Sequence, residues 1–342
     1  MTDLRWGILG TGRIAGIFSR GVLASQTGRL AAVGSRAQAT ADRFAREYRV
    51  ARAHGSYEAL LADPGVQAVY VATPHPQHAE WTMRAAQAGK HVLCEKPLTL
   101  NHAQAVTVVG TARAAGVLLM EAFMYRCHPQ TARVVELVKS GALGRVGLVQ
   151  ASFGFQREFN PDARLWNRAL GGGGILDVGC YPVSFARLIA GAADGQPFAN
   201  PVSVTGTGYL HPQAGVDVYA AGTLSFANGM VAQVACSIGL VQDSSARLYG
   251  SEGWLHVPVP WISTRDGGTS SIFLHRPGAS APEEIVITAP PLYALEADAF
   301  AAALAAGWRD VPQMTVDDTL GNMTVLDQWR SAVGLVYDLE KT

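Results

Sequence analysis

The stretch LRWGILGTGRIA, residues 4–15, limits the possible folds more than any other. An apolar run ends in Gly10-Thr11-Gly12-Arg13-Ile14-Ala15, and a helical pattern near 13–24 follows at once. Gly10 permits a tight turn and Gly12 lets backbone amides approach a pyrophosphate. Ala15 replaces the third glycine, where any small residue allows close helix–strand packing. The helix N-terminus behind the loop favours an anion. The pattern then repeats. RLAAVGS, AVYVATP, HVLCE and VLLMEAF read as strands, with helical patterns near 37–48, 77–88 and 101–115. Continuous apolar strands separated by helices predict a parallel sheet covered on both faces. In that setting the glycine loop predicts a doubly wound dinucleotide-binding domain, with Gly10, Thr11, Gly12, Arg13 and Ile14 against the cofactor.

The end of the second strand bears on which dinucleotide. An acidic residue there would bind the adenosine ribose 2′-hydroxyl. This chain has Gly34-Ser35-Arg36 instead. A hydroxyl and a guanidinium suit a 2′-phosphate, so NADP is expected, with NAD possible. The alternative is that Arg36 is an ordinary solvated residue at a helix start.

After about residue 124 the grammar changes. One helix (129–140) leads to RVGLVQASFGF, and later to VSVTGTGYL, VDVYAAGTLSF, MVAQVACSIGL, ARLYG, WLHVPV, SIFLHR and EEIVITA. Asn228-Gly229 between two of these runs is a hairpin signal. Two helices, near 292–306 and 316–334, close the chain. The expected fold class is α/β: a Rossmann domain over 1–123, then an α+β domain over 124–342 on a large, mostly antiparallel open sheet. A length of 342 residues suits two cores.

Charge and cysteine usage narrow the function. Twenty-seven basic residues balance twenty-seven acidic ones, which offers no electrostatic case for nucleic acid or an anionic membrane. No apolar run reaches about 18 residues, so no membrane span is expected. Met1-Thr2-Asp3 lacks an export-signal pattern. Cys94, Cys127, Cys180 and Cys236 are widely spaced, without a C-x-x-C pair. Packed thiols are expected, not disulfides or a metal site, and the cytoplasm is the expected compartment.

Two further constellations carry chemistry. HVLCEKPLTL sets Glu95, Lys96 and Pro97 at the mouth of an apolar strand, on the edge where doubly wound sheets bind ligands. Lys96 there could bond the substrate oxygen undergoing redox; it could also be a surface lysine paired with Glu95. Downstream, LGGGGILDVGCYPVSFARLIAG places Asp177 and Tyr181 four residues apart, on one helical face. A carboxylate and a phenol on an otherwise apolar helix are costly unless used. A buried Tyr capped by Asp is the alternative.

Together with TPHPQH (73–78), EKP (95–97), EAFMYRCHPQ (121–130), GGGGILDVGCY (171–181) and the closing DDTLGNMTVLDQWRSA, these motifs resemble the Gfo/Idh/MocA oxidoreductase family over nearly the whole chain. The resemblance implies that Lys96, Asp177 and Tyr181 line the substrate cleft, and that members assemble through the open sheet. Tyr181 stands where many inositol-type members have His. That is similar to the tyrosine-type branch of glucose–fructose oxidoreductase, dihydrodiol dehydrogenase and NADP-dependent xylose dehydrogenase. The resemblance also implies that Thr73, Pro74 and His75 flank the nicotinamide ribose, with His78 in an orienting role and Glu95 beside the cofactor. Tyr125, Arg126, Arg164 and Trp166 are candidate substrate contacts, and His128 is expected to be structural.

The expected activity is hydride transfer between NADP(H) and the carbinol or carbonyl carbon of a sugar or related cyclic polyol. Tyr181 would give or take the proton. Its free pKa of about 10 would be lowered by a nearby Lys96 cation. Asp177 would bind a substrate hydroxyl, and no metal is needed. Two alternatives stand beside this. One is a non-catalytic NADP- or sugar-sensing regulator. The other is a reductase of a nucleotide-linked keto-sugar, which Arg157, Arg164, Trp166 and Arg168 would suit. The expected partners are a small-molecule substrate and further copies of the chain, as a homodimer or homotetramer, with no nucleic acid and no membrane.

Overall fold

The apolar runs of the first third become strands of one parallel sheet in the computed structural model, which describes residues 3–340. The strands are β1 (Leu4–Leu9), β2 (Gly28–Gly34), β3 (Arg52–His54), β4 (Ala68–Val71), β5 (His91–Cys94) and β6 (Leu119–Glu121), in the order β3-β2-β1-β4-β5-β6. Between them run α1 (Arg13–Ala24), α2 (Gln38–Tyr48), α3 (Tyr57–Ala62), α4 (His78–Gln87) and α5 (His102–Ala115). All four residues of β4 are buried, as a sheet covered on both faces requires. β3 and α3 were not expected: three residues, Arg-Ala-His, carry no strand pattern, and β2 supplies the pairing.

Register aligns the strand ends. Leu9 faces both Gly34 and Val71, Val71 faces Cys94, and Cys94 faces Glu121. Gly10, Ser35, Ala72-Thr73 and Glu95-Lys96 therefore emerge on one edge of the sheet. The strand order reverses between β1 and β4, the position where open α/β sheets bind ligands.

The second sheet follows α6 (Pro129–Lys139). Its strands are β7 (Val146–Gly154), β8 (Ser203–Leu210), β9 (Asp217–Ser225), β10 (Val231–Ser237), β11 (Ala246–Gly250), β12 (Trp254–Val257), β13 (Gly268–His275) and β14 (Glu283–Ala289). They lie in the order β14-β13-β12-β11-β7-β10-β9-β8. β7 and β10 are parallel, whereas β8/β9, β9/β10, β7/β11, β11/β12 and β12/β13 are antiparallel. The Asn228-Gly229 turn joins β9 to β10, with Gly229 at φ +82° and the Asn228 side chain accepting the Met230 amide at 3.0 Å. Along β9 buried and exposed residues alternate, so one face is packed and the other open. The packed face meets α7 (Cys180–Ala193). The helical stretch Arg168–Ala193 is apolar enough over 18 residues to match a membrane span by length and composition; 94% of that window is buried inside the protein, which marks a core helix.

The chain does not divide at a single cut after residue 123. One compact unit comprises 1–128, 264–268 and 290–320; the other comprises 129–263, 269–289 and 321–342. The reason lies in α8 (Leu292–Ala305), which packs on α1. Phe300 rests 5.2 Å from Trp6, and both are fully buried. Burial of each such ring stabilises the unit by about 1.5–3 kcal/mol. Asp298 accepts hydrogen bonds from Ser25, Gln26 and Thr27. The expected closing helix is α9 (Val316–Ala332), whose first residues belong to the first unit.

Candidate active site

In the first unit the site begins with an uncapped helix. α1 starts after Gly12 with no side-chain cap and no acidic residue in its first turn. Its orphan amides are therefore available to an anion. Gly10 has φ +107°, and a Cβ there would come within 2.8 Å of the Ala72 carbonyl oxygen. A Cβ on Gly12 would meet nothing within 4 Å. Open space thus lies over an amide-rich turn, the cradle a pyrophosphate needs. Arg13 is exposed, and Thr11 and Ile14 are half-buried.

At the end of β2, Ser35 is buried with its Oγ 3.3 Å from Thr11 Oγ1. Arg36 is exposed and makes no ion pair among the described residues. No carboxylate occupies residues 34–36. The Thr73 Oγ1, after β4, is buried without a hydrogen-bond partner. An uncapped helix, an uncommitted guanidinium and an orphaned hydroxyl on one sheet edge fit a phosphorylated dinucleotide.

The neighbouring loops are held by side chains expected to touch cofactor. His78 is buried between two carbonyls, Nδ1 2.9 Å from Pro97 O and Nε2 3.0 Å from Thr73 O. It ties the loop after β4 to the loop after β5. His75, also buried, approaches Thr99 O with Nε2 at 2.9 Å. Glu95 is buried, accepts a hydrogen bond from the Tyr70 hydroxyl, and takes the Lys96 amide at 3.2 Å. These bonds tie the Thr73-Pro74 loop to the loop after β5 and brace the Lys96-Pro97 backbone. The carboxylate of EKP anchors the turn, and Lys96, half-buried, is the charged group the turn presents. The Lys96–Pro97 bond is cis.

Behind this edge lies Glu296 of α8, fully buried with neither carboxyl oxygen hydrogen-bonded. Burial, then the Glu95 charge, raises its pKa well above the carboxylate range. Arg126 differs from expectation. It pairs with Asp318 at 2.6 Å, the two side chains 4% and 2% exposed, and donates to Gln313 O at 3.0 Å. A guanidinium committed in this way is structural. Tyr125, the neighbouring candidate, is 1% exposed and packs edge-on to Phe123. His128, 2.7 Å from Thr264 Oγ1, has its pKa lowered to about 4 by burial and is a neutral structural residue, as expected.

In the second unit the glycine run leads into a π-helical turn, Ile175–Gly179, and then α7. Such turns recur at functional sites. This one separates Asp177 from Tyr181 where a plain α-helix was expected. Tyr181 is 3% exposed, its ring 5.2 Å from Phe153 and 5.9 Å from Trp261. This aromatic wall fixes the phenol's direction. Asp177 pairs with Arg164 at 2.6 Å. Trp166, a candidate substrate contact, is 5% exposed and packs in a cluster with Val216, Val218 and Ile238. Sequence reasoning missed Asp217, which is fully buried and accepts the Ile175 amide at 2.6 Å. Its only signal was a lone carboxylate in the apolar run VDVYAAGTLSF.

Known proteins resemble this chain over nearly its whole length. Residues 4–123 match the family described as "Oxidoreductase family, NAD-binding Rossmann fold", and residues 131–256 match the "GFO/IDH/MocA C-terminal domain". Trans-1,2-dihydrobenzene-1,2-diol dehydrogenase of Mus musculus is 32% identical, over 99% of each chain. D-xylose 1-dehydrogenase (NADP(+)) 2 of Haloferax volcanii is 36% identical, over 95% of each. The structure of KijD10, a 3-ketoreductase from Actinomadura kijaniata in complex with NADP and TDP-benzene, superposes with a TM-score of 0.86 at 30% identity, covering 97% of this chain and 98% of that one. The chain belongs to the Gfo/Idh/MocA oxidoreductase family.

Proposed function

We propose that the protein is an NADP-dependent dehydrogenase or reductase acting on the carbinol or carbonyl carbon of a sugar or related cyclic polyol. The observation that carries this is Tyr181: a phenol held by Phe153 and Trp261, one turn from Asp177, on a core helix otherwise apolar at its start. Two relatives that cover 99% and 95% of the chain, a dihydrodiol dehydrogenase and an NADP-dependent xylose dehydrogenase, are named as dehydrogenases of hydroxyl-bearing substrates. The amides after Gly10 and Gly12 would hold the pyrophosphate, and Ser35 and Arg36 the 2′-phosphate. Thr73 would face the nicotinamide half. When bound, NADP supplies the hydride acceptor, and NADPH the donor.

The remaining roles belong to side chains. Lys96 gives a fixed positive charge to the substrate oxygen whose bond order changes. Tyr181 gives or takes the proton at that oxygen. Asp177, oriented by Arg164, accepts a hydrogen bond from a neighbouring hydroxyl and sets which carbon reacts. The test is a panel of aldoses, ketoses and cyclic diols with NADP and NAD, followed by nicotinamide absorbance. Absence of turnover with every member would overturn the enzyme reading in favour of a sensor.

A second reading, reduction of a nucleotide-linked keto-sugar, is favoured by the exposed Arg157 and Phe159 and by the 3-ketoreductase likeness. Turnover confined to nucleotide-linked sugars would select it. The open face of the second sheet carries Thr205, Thr207, Thr223 and Gln233, with Tyr209 and Tyr219 exposed and stacked at 5.4 Å. We propose that a homodimer or homotetramer forms through this face; light scattering that finds a monomer would refute it. None of the four cysteines forms a disulfide, which suits a cytoplasmic location.

A further inference from the structure

The glycine run 171–174 is wrapped around a carboxylate that comes from another element. Asp217 opens β9 and is fully buried. Its Oδ2 accepts the Ile175 amide at 2.6 Å, and the Gly174 amide also stabilises the charge. Gly173 has φ +111°, and a Cβ on it would come within 2.1 Å of Asp217 Oδ1. Only glycine leaves room there for the carboxylate. On the far side the Tyr337 hydroxyl donates to Gly172 O at 2.6 Å. Gly174, which precedes the helix, has no capping side chain of its own. The orphan amides of this helix start are therefore met from β9, by a group whose charge also complements the helix dipole.

We propose that Asp217 is a positioning residue for the reaction: it caps the helix start that carries Asp177 and Tyr181 and sets their placement. This rests on the roles proposed above for those two side chains. The placement depends on protonation. Burial pushes the Asp217 carboxyl up to about 7, against the pull of the Ile175 and Gly174 amides and of Arg330. The other titratable groups around it are Cys236 on β10, Tyr337 near the C-terminus and Asp177; burial raises the Cys236 thiol and the Tyr337 phenol, so both stay neutral near pH 7. Above pH 7 the ionised Asp217 grips the amides more strongly; below it the grip loosens.

The experiment uses the full chain. Amide hydrogen exchange over 171–181, corrected for intrinsic rates, is measured above and below pH 7 in wild type and Asp217→Asn. Wild-type protection should rise with pH, and Asp217→Asn should lose about tenfold protection there with α5 unchanged. Unchanged protection over 171–181 in Asp217→Asn would overturn the cap, and a flat wild-type profile would refute its pH dependence. In parallel, NADP reduction with D-xylose is followed. Misplacement of a reacting group by about 1 Å costs on the order of 100-fold, so kcat in Asp217→Asn should fall about 10- to 100-fold. NADP affinity should stay within about twofold, because the Rossmann unit binds it. Wild-type kcat and pH profile in Asp217→Asn, beside a slow Tyr181→Phe, would refute the positioning role alone. Wild-type turnover in Tyr181→Phe would refute the assignment of Tyr181 instead, while the exchange result still reports on the cap.

Discussion

Removal of the Arg36 guanidinium gives a quantitative handle on cofactor choice. A charge-assisted bond to phosphate contributes about 1.5–3 kcal/mol when well shielded. Arg36 is exposed, so solvent screening brings its share to about 1–2 kcal/mol. Ser35 is buried, its Oγ steadied by Thr11, and a neutral hydroxyl bond adds about 1 kcal/mol. The sum, about 2–3 kcal/mol, corresponds to a preference for NADP over NAD of roughly 30- to 150-fold in kcat/KM. Arg36→Ala should reduce that preference by about 5- to 30-fold and leave NAD turnover untouched. Ser35→Asp should go further, because a carboxylate repels the 2′-phosphate and accepts from a 2′-hydroxyl. The assay is kcat/KM with each cofactor for the wild type and both variants. An unchanged ratio in Arg36→Ala, or a wild type that prefers NAD, would refute the reasoning and leave Arg36 a solvated helix-start residue.

Other perturbations test separate parts of the structure. Lys96→Ala should abolish most turnover yet keep NADP affinity within about tenfold, since the pyrophosphate is held by the glycine loop; titration of cofactor fluorescence checks this. Tyr181→Phe should lower kcat by about 10²–10⁴; a loss seen only in KM would make Tyr181 a binding residue. Arg126→Ala strands Asp318 in the core and should cost about 3–5 kcal/mol in denaturant unfolding. Glu296 keeps its proton in the folded state well above the unfolded value of 4.5, so stability falls as pH rises above that value. Glu296→Gln should flatten this slope, measured as Tm across neutral and alkaline pH. The Asp63 carboxyl is held near 2: the bonds from Arg52, His54 and the Gly65 amide outweigh its desolvation. Its stabilisation is present above pH 4 and should disappear as pH falls toward 2, an acid limb that Asp63→Asn would remove.

The cofactor half was legible because its chemistry is local. Gly10 and Gly12 act through backbone shape, and the residues after each parallel strand share an edge once the order is known. Lys96 and Tyr181 were legible only as motifs. What escaped was long-range partnership. Arg126 reads as a site cation until Asp318, about 190 residues away, claims it. Trp166 gave no sign in the sequence of the Val216 and Ile238 side chains it packs against. His75, His78 and Glu95 lie in the right loops, yet their polar atoms turn to backbone carbonyls, a hydroxyl and a backbone amide. A pattern along the chain says which residues are near an edge; it does not say which groups satisfy them.

The return of α8 to the first unit bears on how the protein is made. A ribosome releases residues 1–128 long before 290–320 exist. At about 5–20 residues per second the interval is roughly 10–40 s. Through it Trp6 lacks Phe300, and the 25–27 turn lacks the Asp298 carboxylate that fastens it. The nascent Rossmann unit therefore waits, with apolar surface uncovered, for a clasp encoded near the far end of the message. Chaperone dependence should be set by that delay, and a circular permutant that starts at residue 290 should shorten it.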